Sequence, residues 1–471
     1  MYDVRSLRAD EFMDHQEILD TLAWAEARRD DKVLAQALLD KAAARQGLTH
    51  REAAVLLCSA APEVRARMFA LSAEIKTAFY GSRIVLFAPL YLSNYCVNGC
   101  VYCPYHRQNG HIPRKKLTQD EIARETAALQ DMGHKRLAIE AGEDPVHNPI
   151  EYILESISTI YGVRRKNGVI RRVNVNIAAT TVENYKRLRD AAIGTYILFQ
   201  ETYHRAAYEA LHPAGPKHDY AWHTEAMDRA MAGGIDDVGL GVLFGLERYK
   251  YELVGLLMHA EHLEAVHGVG PHTISVPRIQ PADGIDPAAF ANGIGDETFA
   301  VLCALIRIAV PYTGMIVSTR ESPAVRARLL PLGVSQISGG SRTTVGGYGQ
   351  DLRPADTEQF DVSDRRSLDE VVRWLMELGY IPSFCTACYR ESRTGDRFMR
   401  LLKAGQIQNC CQPNALLTLQ EFLEDYAAPE TRQAGKALIA RELQRIPSER
   451  VRRVCRESLQ KIAAGQRDFR F

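Results

Sequence analysis

Between residues 83 and 343 the chain repeats one pattern eight times: a short β-rich run, then an amphipathic stretch with helical spacing. The runs are RIVLFAPLYLSN (83–94), RLAIEAGE (136–143), RVNVNIAAT (172–180) and GTYILFQETY (194–203). DDVGLGVLFG (236–245), HTISVPRIQP (272–281), GMIVSTRES (314–322) and SQISGGSRT (335–343) complete the set. Eight strands alternating with helices predict an α/β fold of the (β/α)8 barrel type. Helix starts are marked between them. Thr118-Gln119-Asp120-Glu121 and Thr180-Thr181-Val182-Glu183 have capping-box spacing, and Ser322-Pro323 joins an N-cap to a first-turn proline.

The flanks differ in texture. Residues 1–80 read as a helical segment, with helical spacing over 15–27, 31–46 and 51–79 and a stop at Gly47. The barrel is expected over 81–345, a polar, Gly-containing linker over 346–362, and a helical C-terminal domain over 363–471. The glycines from Gly339 to Gly349 lack the G-x-x-x-x-G-K-[ST] pattern, so they read as a turn-rich loop rather than a phosphate cradle. In barrels of this kind the C-terminal strand ends build the active site. Polar clusters stand at several of them: Glu140 to Asp144, Asn174 and Asn176, Gln200 and Glu201, and Ser318 to Arg320.

Composition narrows the partners. The 58 Lys+Arg balance 58 Asp+Glu, so no long-range field draws nucleic acid or an anionic membrane. No apolar run approaches the roughly 20 residues that span a bilayer. The start MYDVRSLRADEF carries no apolar signal core, which points to the cytoplasm. There the ten cysteines are expected to stay reduced.

Their spacing then matters. Cys96, Cys100 and Cys103 form C-x3-C-x2-C directly after the first strand. Three thiolates this close cannot all pair as disulfides, but they can wrap a metal or cluster. Zinc sites usually take four ligands, and only His106 is near, off finger spacing. A 4Fe-4S cluster on three cysteines leaves one iron open for a ligand. A second group, Cys385 and Cys388 with Cys410-Cys411, reads as C-x2-C-x22-C through Cys411, with Cys410 competing for the third place. Cys58, Cys303 and Cys455 sit in apolar helical patterns and read as core.

With its C-x3-C-x2-C after the first barrel strand, the chain resembles the radical S-adenosylmethionine (SAM) superfamily. The resemblance implies that the open iron chelates SAM and that one-electron reduction yields a 5′-deoxyadenosyl radical. Tyr105 matches the aromatic position against adenine. Ala141-Gly142-Glu143-Asp144 is a degenerate form of the Gly-Gly-Glu motif for the SAM amino group, with Gly142 and Glu143 as its core. Within the superfamily, the runs YCVNGCVYCPYHRQN, RRVNVNIAATTVENY, GVGPHTISVPRI, GMIVSTRES, YIPSFCTACYR and NCCQPNALLTLQEFLEDYA resemble the HydG family, tyrosine lyases that mature FeFe-hydrogenase.

That resemblance implies cleavage of L-tyrosine at Cα–Cβ to p-cresol and dehydroglycine. Dehydroglycine would become CO and cyanide at an auxiliary 4Fe-4S cluster bearing an extra labile iron. It also implies a low-potential electron donor and other hydrogenase maturases as partners. Cys385, Cys388 and Cys411 would hold the auxiliary cluster and His272 the extra iron, a neutral imidazole suiting ferrous iron. His262 and His267 are alternatives. Arg320 would take the substrate carboxylate, its fork matching that group, with Ser318, Thr319, Gln336 and Gln200 assisting. Asn174, Asn176 and Glu201, with Gln200, would meet the SAM ribose or the substrate amine. Two other readings stand beside this one. The tyrosine lyase of thiamine biosynthesis stops at dehydroglycine and lacks the C-terminal cysteines, and a non-catalytic iron–sulfur carrier would leave the polar barrel mouth unexplained.

Overall fold

The computed structural model describes residues 1–349, 358–405 and 408–471. Eight parallel strands close a barrel: β1 Arg83–Ser93, β2 Arg136–Ala141, β3 Arg172–Asn176 and β4 Tyr196–Ile197, then β5 Val238–Gly241, β6 Thr273–Ser275, β7 Gly314–Val317 and β8 Val334–Ser338. Closure comes from β1, which pairs with β8 on one side and β2 on the other. Each strand falls inside or beside its predicted run but is mostly shorter, because the polar C-terminal part of each run leaves the sheet to form the barrel mouth. Thr118 and Glu121 form the expected capping box. At the helix Val182–Asp190 Thr181 is the cap and accepts from the Asn184 amide, so Thr180 and Glu183 do not form a box.

A ninth strand is the unexpected element. β9, Ile381–Ser383, pairs in parallel with the first residues of β1, from Arg83↔Ile381 to Val85↔Ser383. β2 engages β1 only from Ala88 upward. The seam between β1 and β2 is thus wedged open at its lower end, and the C-terminal region enters there. Pro382 donates no ladder hydrogen bond, which suits a short strand at the rim of the sheet. The insertion sets the second cysteine group beneath the barrel.

Helices flank this core. Four of the first five, Ala9–Phe12, His15–Glu26, His50–Cys58 and Pro62–Tyr80, pack on Tyr249–His267 or Asp296–Ala309, while Lys32–Ala43 packs on His50–Cys58 and Pro62–Tyr80. Their docking is specific. Gly47, at φ +82°, lets its turn approach so closely that a Cβ would meet the Ala309 carbonyl at 2.5 Å. His50 bridges Glu17 and Glu261 at 2.9 and 2.8 Å. Of the predicted linker, 350–357 lie outside the described residues. Its flanks lie against the barrel, where the Tyr348 hydroxyl donates to the Pro89 carbonyl (2.8 Å) and the Gln359 amide to that of Thr343 (3.0 Å). Cys58, Cys303 and Cys455 are buried in the core. Among the described residues no helix is long and apolar enough to cross a membrane.

Two candidate sites at opposite ends of the barrel

The first site is the barrel mouth. Beyond Ser93 the chain turns into the loop that carries Cys96, Cys100 and Cys103, and that loop is stapled to its neighbours. The Val97 amide donates to the Glu143 carbonyl (2.8 Å), and the Gly99 and Val101 amides donate to Ala214 and Leu211 (2.8 and 3.0 Å). Asn98 crosses between segments, its amide on the Glu143 carboxylate (2.7 Å) and its oxygen accepting from the Lys217 amide (3.0 Å). Gly142 explains the small residue in the strand-two motif. A Cβ there would stand 2.3 Å from the Tyr95 carbonyl, so a larger residue would push the cysteine loop away.

All three cysteines line one cavity. Burial pushes the Cys103 thiol up to about 11 and Cys100 higher still, so these two sulfurs ionise only against a compensating cation. Three thiol sulfurs lining one cavity are the soft donors that an iron–sulfur cluster takes, one to each of three irons, whereas a structural zinc site takes four N or S ligands.

The same cavity is lined by Tyr105, Gly142, Glu143, Asn176, Glu201 and Arg320. Tyr105 is buried, its hydroxyl on the Thr343 carbonyl at 3.0 Å. Glu201 sits at φ +67° and pairs with Lys217 at 2.8 Å. A non-glycine residue held in that conformation at a strand end is backbone strain concentrated at a site. The Arg320 guanidinium stacks on the Phe360 ring at 3.5 Å and has no ion pair among the described residues. Being charged at any working pH, it presents an unmatched cation to the cavity.

Other residues expected here lie elsewhere. The Gln200 amide is turned to the Thr224 hydroxyl (2.9 Å). Asn174 accepts from Arg172 Nε (2.7 Å) and the Thr195 amide (3.1 Å), deeper in the barrel. Ser318 and Thr319 shape the turn that carries Arg320. Ser318 Oγ accepts from the Arg320 amide (3.3 Å), and the Thr319 carbonyl accepts from the amides of Ser363 and Asp364. Gln336 stands opposite Val85 near the start of β1, so it faces the other end of the barrel.

That other end holds the second site. Cys385, Cys388, Cys411, His272 and Gln336 line one cavity below the strands. Cys410 faces away and accepts from Arg393 (3.4 Å). The Cys411 sulfur, hydrogen-bonded to Cys388 and near Arg83, ionises more readily than its neighbour. His272 lies against Phe398, with ring centroids 5.1 Å apart, and burial pushes it down to about 4. It is therefore neutral; its Nδ1 makes no close hydrogen bond among the described residues and faces the Asp237 carboxylate at 3.4 Å, while the Tyr389 hydroxyl is 3.4 Å from Nε2. A neutral imidazole so loosely held beside three cysteines fits a further metal ligand. His262 and His267 are both bound to Asp228 (3.0 and 2.7 Å) and line neither cavity.

Sequence reasoning missed the arginines of this lower cavity. Arg83, Arg136 and Arg172 open β1, β2 and β3, and all three face it. Arg136 donates to the Cys385 carbonyl (2.8 Å), while Arg172 lies 3.2 Å over the Tyr389 ring. Their recurrence at the starts of three successive strands was the available signal.

Comparison with known proteins agrees with this architecture. Residues 90–257 match the Radical SAM superfamily, and 275–381 match the Biotin and Thiamin Synthesis associated domain. The 2-iminoacetate synthase of Escherichia coli (strain K12) is 32% identical over 365 residues, covering 77% of this chain and 93% of that protein. Among solved structures, a HydG described as a maturase of the FeFe-hydrogenase superposes with a TM-score of 0.95 at 55% identity, over 98% of this chain and 100% of that one. HydG from Carboxydothermus hydrogenoformans gives 0.83 at 37% identity, over 96% and 99%. With this kinship along nearly its whole length, the chain belongs to the HydG family of radical SAM enzymes.

Proposed function

We propose that this protein is a carbon–carbon lyase that cleaves L-tyrosine to p-cresol and dehydroglycine, and that it converts the latter to CO and cyanide for the FeFe-hydrogenase active site. The observation that carries this reading is the pair of cysteine triads at opposite ends of one barrel, in a chain kin to HydG throughout.

Cys96, Cys100 and Cys103 would hold the 4Fe-4S cluster, whose bound SAM supplies a 5′-deoxyadenosyl radical that takes a hydrogen atom from tyrosine. The protein's own part is binding and shielding. Arg320 receives the tyrosine carboxylate, since its free fork matches that group in two parallel hydrogen bonds. Gly142 opens space for the methionyl end of SAM, with Glu143 for its amino group, Tyr105 for the adenine, and Asn176 and Glu201 for the ribose. Phe360 and the Tyr91 ring wall the cavity against water.

At the lower end Cys385, Cys388 and Cys411 would hold the auxiliary cluster and His272 the extra iron. Arg136 and Arg172 make this end electropositive, which favours an incoming carboxylate such as dehydroglycine. A low-potential one-electron donor and the other maturases complete the set of partners, all in the cytoplasm.

The test is product analysis. The protein is reconstituted anaerobically with iron and sulfide, then given SAM, a strong reductant and L-tyrosine. The proposal expects 5′-deoxyadenosine, p-cresol, CO and cyanide. A fully loaded protein that makes no p-cresol overturns it. Dehydroglycine and p-cresol without CO would identify it instead as an enzyme of the 2-iminoacetate synthase type.

A further inference from the structure

Three carboxylates line the upper cavity: Glu140, Glu143 and Glu201. Two are already engaged. Glu201 pairs with Lys217 at 2.8 Å, and Glu143 accepts from Asn98 at 2.7 Å. Glu140 has no ion pair among the described residues. It is the fifth residue of β2, and its neighbour across the sheet is Asn176 on β3, whose amide hydrogen-bonds the carboxyl.

The cavity is equally unbalanced in cations. Of its two permanently charged ones, Lys217 is spent on Glu201, while Arg320 is held over Phe360. Arg320 and Glu140 share one cavity yet form no salt bridge with each other. Each is held by its own support, Phe360 for one and Asn176 for the other. Burial pushes the Glu140 carboxyl up to about 8, against the pull of Arg320, so without a closer cation the group is mostly protonated at neutral pH. A cation brought against it shifts it to the carboxylate.

A guanidinium and a carboxyl held apart in one cavity are complementary to a zwitterion, whose ammonium group favours the ionised form of the carboxyl. We infer that Glu140 binds the α-ammonium group of the amino-acid substrate while Arg320 holds its carboxylate, so that the two together select a free α-amino acid. The inference rests on the tyrosine reading above. It assigns a role to a residue outside the SAM motif, and it predicts what the enzyme excludes. An amine without a carboxylate, or an acid without an amine, leaves one buried charge unmatched and loses affinity.

Ligand analogues separate the two charges. Binding of L-tyrosine, tyramine (no carboxylate) and 3-(4-hydroxyphenyl)propanoate (no ammonium) is measured calorimetrically on the reconstituted, SAM-loaded protein. The wild type should favour tyrosine over either analogue by about 10- to 100-fold, the effect of one unpaired buried charge. Glu140→Gln should weaken tyrosine and tyramine by about the same factor and leave the propanoate unchanged. Arg320→Gln should weaken tyrosine and the propanoate and spare tyramine. SAM affinity, measured in parallel, should be unaffected by Glu140→Gln and also shows that the variant is folded.

A wild type that binds the propanoate as tightly as tyrosine overturns the inference without any variant. So does a Glu140→Gln protein that weakens all three ligands equally, or that loses SAM rather than tyrosine. If the wild type binds tyrosine normally and only these contrasts fail, Glu140 alone is misassigned. If it binds no tyrosine at all, the lyase reading falls with it.

Discussion

The turn that carries Arg320 rests on a buried ion pair, and removing half of that pair gives a sharp test of the barrel's construction. Arg326 and Asp364 are both 0% exposed, so no solvent screens them. Arg326 also donates to the Ser338 carbonyl at the end of β8 (2.6 Å), and Asp364 also pairs with Arg366 (2.6 Å). Asp364→Asn keeps the shape and one acceptor, so what is lost is charge. That leaves a fully buried guanidinium without its counter-ion, at a cost of about 3–5 kcal/mol. A well-packed apolar pair, Arg326→Met with Asp364→Leu, should recover most of the loss, because neither charge then needs solvation.

The same pair sets a pH dependence. Burial alone would raise the Asp364 carboxyl, but the hydrogen bond from Arg366 and the charge of Arg326 outweigh it and hold it below the ordinary value. A depressed folded-state value means the contribution is present at neutral pH and is lost as pH falls through that value. Urea unfolding followed by circular dichroism, with thiols kept reduced, measures both effects. The Thr319 carbonyl accepts from the Ser363 and Asp364 amides, so the Asn variant should also bind tyrosine less tightly. A loss of only about 1 kcal/mol, as for an exposed pair, would show that solvent reaches the pair and that its burial costs the variant little.

Three further outcomes are expected. Gly142→Ala puts a methyl 2.3 Å from the Tyr95 carbonyl, and strain of about 1–3 kcal/mol should weaken SAM binding about tenfold, read by equilibrium dialysis, with the lower site's iron retained. For His50, burial lowers its basicity, but Glu261 and Glu17 outweigh that and raise it. Its contribution is therefore complete below about pH 6.5 and fades as pH rises through the folded-state value, so amide protection factors in residues 50–58, exchange divided by the intrinsic base-catalysed rate, should fall with rising pH in the wild type but not in His50→Gln. Replacing His272 by Ala should lower bound iron by about one atom per chain and leave p-cresol formation intact; unchanged iron content would remove His272 from the lower site.

Features carried by neighbouring residues were legible in the sequence. C-x3-C-x2-C after a strand, the capping box at Thr118 and the alternation of strands and helices are all local patterns. Height within the barrel is not local. Gln336 lies on β8 as expected, but its partner is Val85, near the bottom of β1, and only the register between distant strands fixes that. The arginines at the starts of β1, β2 and β3 look like solvated strand ends until closure brings them around one cavity. β9 was invisible for a related reason. Three residues that include Pro382 carry no strand signal of their own and become a strand because β1 has an unpaired edge there. Cys410 and Cys411 are indistinguishable by spacing, and the helical phase of Gln408–Asp425 turns one toward Arg393 and the other into the cavity.

One barrel with two cysteine triads should carry separable chemistry at its two ends. The direct measurement is p-cresol and CO from the same reaction, for the reconstituted wild type and for the Cys385→Ala/Cys388→Ala double variant. With the lower ligands gone and the upper triad untouched, p-cresol should persist while CO disappears. A double variant that still releases CO would contradict the claim, and so would one that loses p-cresol while its upper site remains fully loaded.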